Sequence, residues 1–599
     1  MEILCMTRQI KESEACEMEK RGNVRIWYDL PVPMRDGTIL YADVYRPDDD
    51  EKYPAILNRT PYHKEDNCHI VDGYVHALKL AGYGYNVVIQ DVRGSGCSEG
   101  ILDPAGSQIE DGYDTVEWVA AQEWCDGNVG MVGESYHGYS QLAAAQSNPP
   151  HLKAICPFQT SWTKFPALYS FGVFSSVLFG WVYGEALGRE KFYPGALSEE
   201  TKKQMEACGK NMDEQLMWLP IKDMPAANIP GVPGLDFQGK LLENIDNPEY
   251  LKKIGRVDAF DQVRVPCLNL TGWYDFLRDK TIYNYMKFRT EGGSESCRKH
   301  SKLIVGPWNH GDKLPGVIDG VDFGPEGSGD AFGITEVFRD WFDCWLKGKT
   351  TPYVEGVPIK LFILGDNVWR DEYEWPLART KYVSYYLHSA GHANTLNGNG
   401  ILSETVPKEE PCDQYLYDPS HPCPSASPDP GRYLIQDQRP LEAREDVLVY
   451  TTEAFRETVE ITGPLKVELY ASSDAVDTDF VCKVSVVYPD EKSYSIGSYL
   501  VRARFRNGEK AEFLTPGEVT LFHIEVGNIA MKLQAGYRLR LDVTSSLYPD
   551  ADRNLNTGGR IGYETEMKVA HQKIFHCAEY PSRLILPFIP ATAPLIPEG

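Results

Sequence analysis

No run of apolar residues in this 599-residue chain approaches the length, ~20 residues, that crosses a bilayer as a helix. The opening stretch MEILCMTRQIKESEACEMEKRGN meets charges too soon to contain the apolar core of an export signal. Positive charge is scarce as well: 60 Lys and Arg against 86 Asp and Glu leave a formal net charge of −26. A surface of that sign repels phosphate backbones and anionic lipid, so neither a nucleic-acid nor a membrane partner is expected. The 14 cysteines include no C-x-x-C pair and are scattered from Cys5 to Cys577, which predicts reduced and mostly buried thiols. Cys412 and Cys423 are close enough in sequence to meet in a loop, yet no structural disulfide is expected between them. Together these absences predict a cytoplasmic protein. Histidine is sparse at 13 residues, and His63, His69 and His76 lack ligand spacing, so neither metal nor cofactor is expected.

What is present is enough apolar material, 42% of residues, for several packed cores. A single core rarely outgrows about 250–300 residues, so the length predicts two or three domains. From Val24 the segments VRIWYDLPVPM and TILYADVYRP flank Arg35-Asp36-Gly37, a turn signal that predicts an antiparallel hairpin. The buried-strand patterns YPAILNRTPY, YGYNVVIQDVRG, VGMVGES and LKAICPF then alternate with the helical DGYDTVEWVAAQ and a helix from about Tyr136 to Ser147. Such alternation predicts a mostly parallel sheet with helices on both faces.

The alternation breaks between Gln159 and Asp261. There WTKFPALYSFGVFSSVLFGWVYGEALG is helical in character, and a Pro/Gly-rich stretch runs from Ile229 to Gly234, so the segment reads as an inserted cap. The sheet pattern resumes with VPCLNLTGWYD and SKLIVGPWNH and closes with a helix over Ala331 to Lys347. Beyond Pro352, short segments such as PIKLFILG, YVSYYLH, LKVELYAS, FVCKVSVVYP and YRLRLDVTS recur between turns, which predicts a β-sandwich or jelly roll. The expected division is a two-part sheet domain at 22–158 and 262–350, a helical cap at 159–261, and a sandwich at 351–599.

The strongest local signal is Gly133-Glu134-Ser135-Tyr136-His137-Gly138, between a buried strand and a helix. A serine on a sharp strand-to-helix turn is pushed out of the backbone, and flanking glycines let the chain turn that tightly. The amide of Tyr136 then stands at a helix N-terminus, where it can donate to an oxyanion. The spacing is G-x-S-x-x-G rather than G-x-S-x-G, and by itself it is a common turn.

A serine nucleophile needs a base, and the base needs an orienting carboxylate. In α/β-hydrolases these follow the serine in the order acid then histidine, each on a loop after a later strand. Asp275 follows LNLTGWY and His310 follows LIVGPWN. Alone, Asp275 reads as a helix cap and His310 as a loop histidine; the joint order and strand ends favour the catalytic reading. On position alone Tyr62, in Asn58-Arg59-Thr60-Pro61-Tyr62, is one packing tyrosine among 35.

The segments MRDGTILYADVYRP, NRTPY, DVRGSGCSEG, WCDGNVGMVGESYHG, LTGWYD and GPWNH, with the late DRNLNTGG, carry a resemblance across most of the chain. In this order they resemble the cocaine-esterase-like branch of the X-prolyl dipeptidyl-peptidase family of serine hydrolases. The resemblance implies an α/β-hydrolase fold with an inserted helical cap and a C-terminal jelly-roll sandwich. It also implies Ser135 as nucleophile, Asp275 as acid and His310 as base, with the Tyr62 hydroxyl and the Tyr136 amide forming the oxyanion hole. That replaces the packing reading of Tyr62.

Asp91, Arg93 and the glycines of DVRGSGCSEG are expected to be structural. Trp162, Phe165, Tyr169 and Trp181 of the cap, with Phe276 and Leu277 beside Asp275, are expected to wall the substrate pocket. Relatives with an additional N-terminal helical domain are disfavoured, because the sheet pattern begins near Val24. Relatives that act on α-amino acid esters need an acidic cluster for the substrate ammonium, and nothing selects Glu185, Glu190, Asp279 or Asp312 for it. The expected activity is hydrolysis of a small-molecule ester through an acyl-enzyme. The alternatives are an amide or aminoacyl substrate, acyl transfer to a nucleophile other than water, and a non-enzymatic ligand-binding role for the sandwich. Oligomeric state is not legible, so a homo-oligomer stays open.

Overall fold

In the computed structural model the described residues are 18–64, 76–102, 108–161, 171–232, 234–250, 259–311, 313–425 and 435–591. The hairpin marked by Arg35-Asp36-Gly37 forms: β2 (Val24–Pro33) pairs antiparallel with β3 (Ile39–Pro47), Pro33 opposite Ile39, and Gly37 takes φ 87° in the turn. The short β1 (Met18–Arg21) adds to the edge of β2. Six strands then run parallel: β4 (Tyr53–Thr60), β5 (Asn86–Asp91), β6 (Cys125–Glu134), β7 (Leu152–Phe158), β8 (Leu268–Tyr274) and β9 (Lys302–Asn309). A two-strand ribbon, β10 (Val317–Ile318) and β11 (Val321–Asp322), stands apart from the sheet. The sheet ends with β12 (Ile359–Ile363) and β13 (Val368–Glu372), in the order β1-β2-β3-β5-β4-β6-β7-β8-β9-β12-β13.

The sheet therefore runs past the boundary expected at residue 350. The apolar IKLFI of β12 pairs parallel with β9, where four of its five residues are buried. Alternate residues of the central strands enter different cores, Val87 and Ile89 on one side and Val88 on the other. The first core is covered by α1 (Ala77–Gly82) and the helix Ile334–Lys347, the second by α2 (Gln108–Ala120) and α3 (Tyr136–Gln146). This two-sided cover is why β5 is buried at every position. The closing helix, expected from residue 331, is broken at Gly333, where φ is 78°. The layered sheet with the crossover order β5-β4-β6 is the α/β-hydrolase fold.

Between β7 and β8 the described cap residues form α4 (Ser176–Phe192) and the helices Glu199–Lys210, Met212–Leu216 and Leu235–Glu243. They share a core of their own, which also takes in Phe505 and Ile561 from the C-terminal half.

That half consists of β14 (Lys381–His388), β15 (Gly400–Ser403), β16 (Asp413–Tyr417), β17 (Leu448–Thr452), β18 (Val459–Ser473), β19 (Asp479–Val487), β20 (Ser493–Arg502), β21 (Thr520–Leu533), β22 (Arg538–Thr544), β23 (Ala570–Phe575) and β24 (Arg583–Ile589). Val467 and Leu469 of β18 share one core with Phe480 and Val484 of β19 and Leu541 of β22, strands with which β18 makes no ladder. The sheet thus folds over itself into a two-layered sandwich.

The motif DRNLNTGG joins this sandwich to the cap. Arg502, 2% exposed, donates to both carboxylate oxygens of Asp479 at 3.0 Å, to Asp552 at 3.2 Å and to the carbonyl of Gly172. Asp552 in turn accepts from the Phe174 amide at 2.7 Å, while its own amide donates to the Phe174 carbonyl at 2.8 Å. Asn554 donates to Asp477 and Asp479, each at 2.8 Å. The stretch that leads into α4 is therefore stitched to the sandwich. Arg502 is shared by Asp479 and Asp552, and removing it would strip both buried carboxylates of that charge. Arg502→Met is expected to cost about 3–5 kcal/mol of stability, read as a lower denaturant midpoint with an unchanged slope. A loss below about 1 kcal/mol, the value of an exposed pair, would contradict the buried clamp.

Among the described residues no helix is long and apolar enough to cross a membrane, and no cysteine, Cys412 and Cys423 included, is bridged.

Candidate active site

The strand β6 delivers Ser135 to the C-terminal edge of the sheet through an abrupt turn. Gly133 has φ 149°, and a Cβ there would lie 2.3 Å from the Cβ of His137 and 2.6 Å from Asn58 Nδ2. Ser135 itself is held at φ 55°, ψ −116°, a conformation that a residue with a side chain adopts only when its surroundings impose it. Thr160 imposes it in part, donating to the Ser135 carbonyl at 2.7 Å. The last glycine of the motif makes room for that contact: a Cβ on Gly138 would sit 2.6 Å from the Cβ of Thr160. The unusual G-x-S-x-x-G spacing is thus a packing requirement between α3 and the loop after β7.

His310, just beyond β9, places Nε2 3.1 Å from Ser135 Oγ and Nδ1 2.9 Å from Asp275 Oδ1. The tautomer with its proton on Nδ1 satisfies both contacts, donating to the carboxylate and leaving Nε2 to accept from the serine. Asp275, just beyond β8, is buried and doubly held: Thr271 Oγ1 donates to Oδ2 at 2.7 Å and the Leu277 amide to Oδ1 at 2.9 Å. Glu134, at the end of β6, ties the serine turn to the His310 loop by accepting from the Gly311 amide at 2.9 Å. The ring of Phe276 lies 4.3 Å from that of His310, limiting its rotation.

Tyr62, on the loop after β4, brings its hydroxyl to 3.4 Å from Ser135 Oγ and 3.4 Å from the Tyr136 amide nitrogen. Burial, reinforced by the Glu185 carboxyl, holds this phenol well above its ordinary pKa, so it keeps its proton at neutral pH. His137, beneath the turn, is pushed down to about 3 by burial. It is therefore neutral, and its Nε2 lies 2.8 Å from Thr60 Oγ1, which also accepts from the Tyr62 amide at 2.9 Å. Among the described residues no group of three or more His, Cys, Asp or Glu side chains is arranged to hold a metal ion.

The family model for X-Pro dipeptidyl-peptidase (S15 family) matches residues 36–312, and that for the X-Pro dipeptidyl-peptidase C-terminal non-catalytic domain matches 345–585. Cocaine esterase from Rhodococcus sp. (strain MB1 Bresler) is 35% identical over 586 residues, covering 95% of this chain and 99% of that protein. The chain belongs to the X-Pro dipeptidyl-peptidase (S15) family, in its cocaine-esterase-like branch. As a member it is a serine hydrolase. Two solved structures share its fold. An aminopeptidase from the marine sediment archaeon Thaumarchaeota archaeon has TM-score 0.80 and 23% identity, covering 97% of this chain and 99% of the other. An α-amino acid ester hydrolase has TM-score 0.76 and 22% identity, covering 98% and 100%.

In this S15 hydrolase the cap reaches the site through α4. Trp181 stacks on Tyr136, with ring centroids 5.4 Å apart, and meets Tyr62 edge-on at 6.4 Å. Trp162, Phe165 and Tyr169 lie outside the described residues. Leu277 is the N-cap residue of the helix Arg278–Glu291, and its amide serves Asp275.

Of the four acids considered for an ammonium cluster, Glu190 is occupied by Lys202 and the amides of Gly195 and Leu197. Asp279 is occupied by Arg278 and Asn528, and Asp312 is outside the described residues. Glu185 is close enough to act on the Tyr62 phenol, with His63 4.0 Å away, and burial pushes its own pKa up to about 8.

Sequence reasoning did not single out Thr60, Glu134, His137, Thr160 or Thr271 as site residues. For Thr60, Glu134, His137 and Thr271 the available signal was their place within NRTPY, GESYHG and LTGWYD, where a buried hydroxyl, carboxylate or imidazole needs a partner; Thr160 lies in none of these motifs.

Proposed function

We propose that the chain hydrolyses a neutral or aromatic carboxylic ester of a small molecule through an acyl-enzyme formed on Ser135. His310 takes the hydroxyl proton as Oγ attacks the carbonyl carbon, and the tetrahedral oxyanion forms beside the Tyr62 hydroxyl and the Tyr136 amide. His310 then returns the proton to the departing alkoxide. Water, deprotonated by the same imidazole, attacks the acyl carbon, and as the acyl–Oγ bond breaks His310 returns that proton to Ser135 Oγ, releasing the acid. Asp275 keeps the imidazole in the productive tautomer and stabilises its charged form.

The observation that carries this reading is the continuous contact chain from Asp275 through His310 to Ser135, at 2.9 and 3.1 Å, with two donors converging beside the hydroxyl. A preference for neutral over aminoacyl substrates is supported by Glu185. Burial raises its pKa to about 8, and no second carboxylate among the described candidates joins it, since Glu190 and Asp279 are held by Lys202 and Arg278. Comparing short-chain and benzoyl nitrophenyl esters with aminoacyl nitroanilides tests this, and faster turnover of the anilides would reverse it. We place the protein in the cytoplasm, a compartment that suits unbridged thiols such as Cys125, Cys156 and Cys482.

Tyr62→Phe removes one oxyanion donor while keeping the ring that Trp181 and His137 pack against. kcat is expected to fall by about 10²–10³-fold with a much smaller change in KM. Near-normal turnover would take Tyr62 out of the mechanism.

A further inference from the structure

A lysine just past a strand end normally carries its ammonium to solvent. Lys64 does not: its side chain is 1% exposed, with Nζ 2.6 Å from Asp29 Oδ1 and 3.0 Å from Asp43 Oδ1. The other end of the residue is gripped too, for its amide donates to Asp91 Oδ1 at 2.8 Å. Asp29 stands at a bulge in β2 and donates its own amide to Asp43 Oδ1 at 3.0 Å. Asp43 lies on β3 and Asp91 ends β5. The second oxygen of Asp91 accepts from the Cys97 amide at 3.2 Å, and Gly96 leaves the space it needs, since a Cβ there would fall 1.8 Å from that oxygen. Three strands and the DVRGSGCSEG loop thus converge on one lysine.

We propose that Lys64 is a positioning residue for the Tyr62 hydroxyl, fixing the loop that carries it; this rests on the reading of Tyr62 as an oxyanion donor. Stability alone does not account for the arrangement, because buried ion sets are often matched or bettered by apolar side chains of similar volume. What such a set supplies is a direction-specific anchor, two residues from the tyrosine. The intervening His63 has φ 67°, a backbone state unusual for a bulky residue and held here between the Lys64 anchor and the α4 residues Gly188 and Phe192. Tyr62 has little tolerance for drift, since its hydroxyl already stands 3.4 Å from both Ser135 Oγ and the Tyr136 amide. Any displacement of the loop away from α3 takes both contacts out of hydrogen-bond range.

The test is a double-mutant cycle on the full chain, with nitrophenyl ester turnover as the readout. Lys64→Met, and Lys64→Met paired with Asp43→Asn to remove the stranded acid, are each made with Tyr62 intact and with Tyr62→Phe. With Tyr62 intact, kcat is expected to fall by about 10–100-fold, the scale of a misplaced catalytic group, with KM little changed. In the Tyr62→Phe background the same substitutions should cost almost nothing more, because the group they position is gone. Equal losses in both backgrounds, or an unchanged kcat with Tyr62 intact, overturn the proposal. Near-normal turnover of Tyr62→Phe alone overturns the oxyanion reading instead, so the two failures are distinguishable. If Lys64→Met does not fold, its pair with Asp43→Asn carries the comparison. If neither folds, Lys64→Arg carries it, expected to lose turnover only where Tyr62 is present.

Discussion

Ser135→Ala is expected to lower kcat by about 10⁶-fold while leaving the fold intact. The magnitude follows from what the hydroxyl does and what its neighbours cannot do without it. The attacking oxygen lies 3.1 Å from His310 Nε2 and 3.4 Å from the Tyr62 hydroxyl. Without it, His310 has no proton to take and no acyl-enzyme forms. Tyr62 and the Tyr136 amide remain, so a residual rate above water survives, of order 10³–10⁴-fold, from oxyanion stabilisation and binding alone. Stability should hold, because the methyl replacement keeps the same backbone state and loses no side-chain hydrogen bond that caps the elbow, which is held through the backbone by Thr160. The measurements are steady-state turnover of a nitrophenyl ester and labelling by a fluorophosphonate probe. Turnover within tenfold of the parent, or retained labelling, would move the nucleophile elsewhere and leave the enzyme without the site described.

Asp275→Asn is expected to cost about 10⁴-fold in kcat, with a far smaller effect on KM. Asp275 is buried and does not face the reacting atoms; it acts on His310 Nδ1 at 2.9 Å. Its carboxylate accepts three hydrogen bonds, from His310, the Leu277 amide and Thr271. An amide in its place has one acceptor oxygen and one NH₂. With its oxygen in the Oδ1 position the amide keeps both Leu277 and the imidazole and turns its NH₂ to Thr271; flipped, it keeps Thr271 and turns its NH₂ to the imidazole and the Leu277 amide. Facing the imidazole, it donates to Nδ1 and forces the proton onto Nε2, the nitrogen that has to accept from Ser135. The imidazolium formed during attack also loses its counter-charge. Because the serine, histidine and aspartate act as a unit, adding Asp275→Asn to His310→Ala should change little beyond His310→Ala alone. Additive losses would show that Asp275 acts elsewhere, for instance by holding the loop.

Much of this was legible in the chain because it is written locally. Strands such as NVVIQD and KLIVGPWN carry consecutive apolar residues, VVI and LIV, rather than an alternating pattern, the mark of a sheet covered on both faces. The turn at Gly133–Ser135 needs a glycine for reasons confined to a few residues around it. The order of Ser135, Asp275 and His310 is visible because each follows an apolar strand. Three strands that end at one edge of a parallel sheet bring their following loops together whatever lies between them.

Other features have no local signature. Lys64 reads as a surface lysine, and only the convergence of Asp29, Asp43 and Asp91 from three strands makes it a buried anchor. Trp181 is one of several cap aromatics, and only the packing of α4 sets it on the two tyrosines. DRNLNTGG is a plain polar loop until Arg502 and Asp552 stitch it to Gly172 and Phe174, more than 300 positions away. The strand β12 joins the first sheet rather than the second because a free edge at β9 accepts it, and nothing within IKLFI states which edge that is. The sequence by itself determined which segments become strands and helices and where the backbone turns sharply enough to present a serine, since sterics and hydrophobic period act over a few residues. Only the tertiary structure decided which charges are buried, which aromatic covers the oxyanion donors and which domain holds the cap, because those depend on contacts between segments whose separation along the chain carries no information about their distance in space.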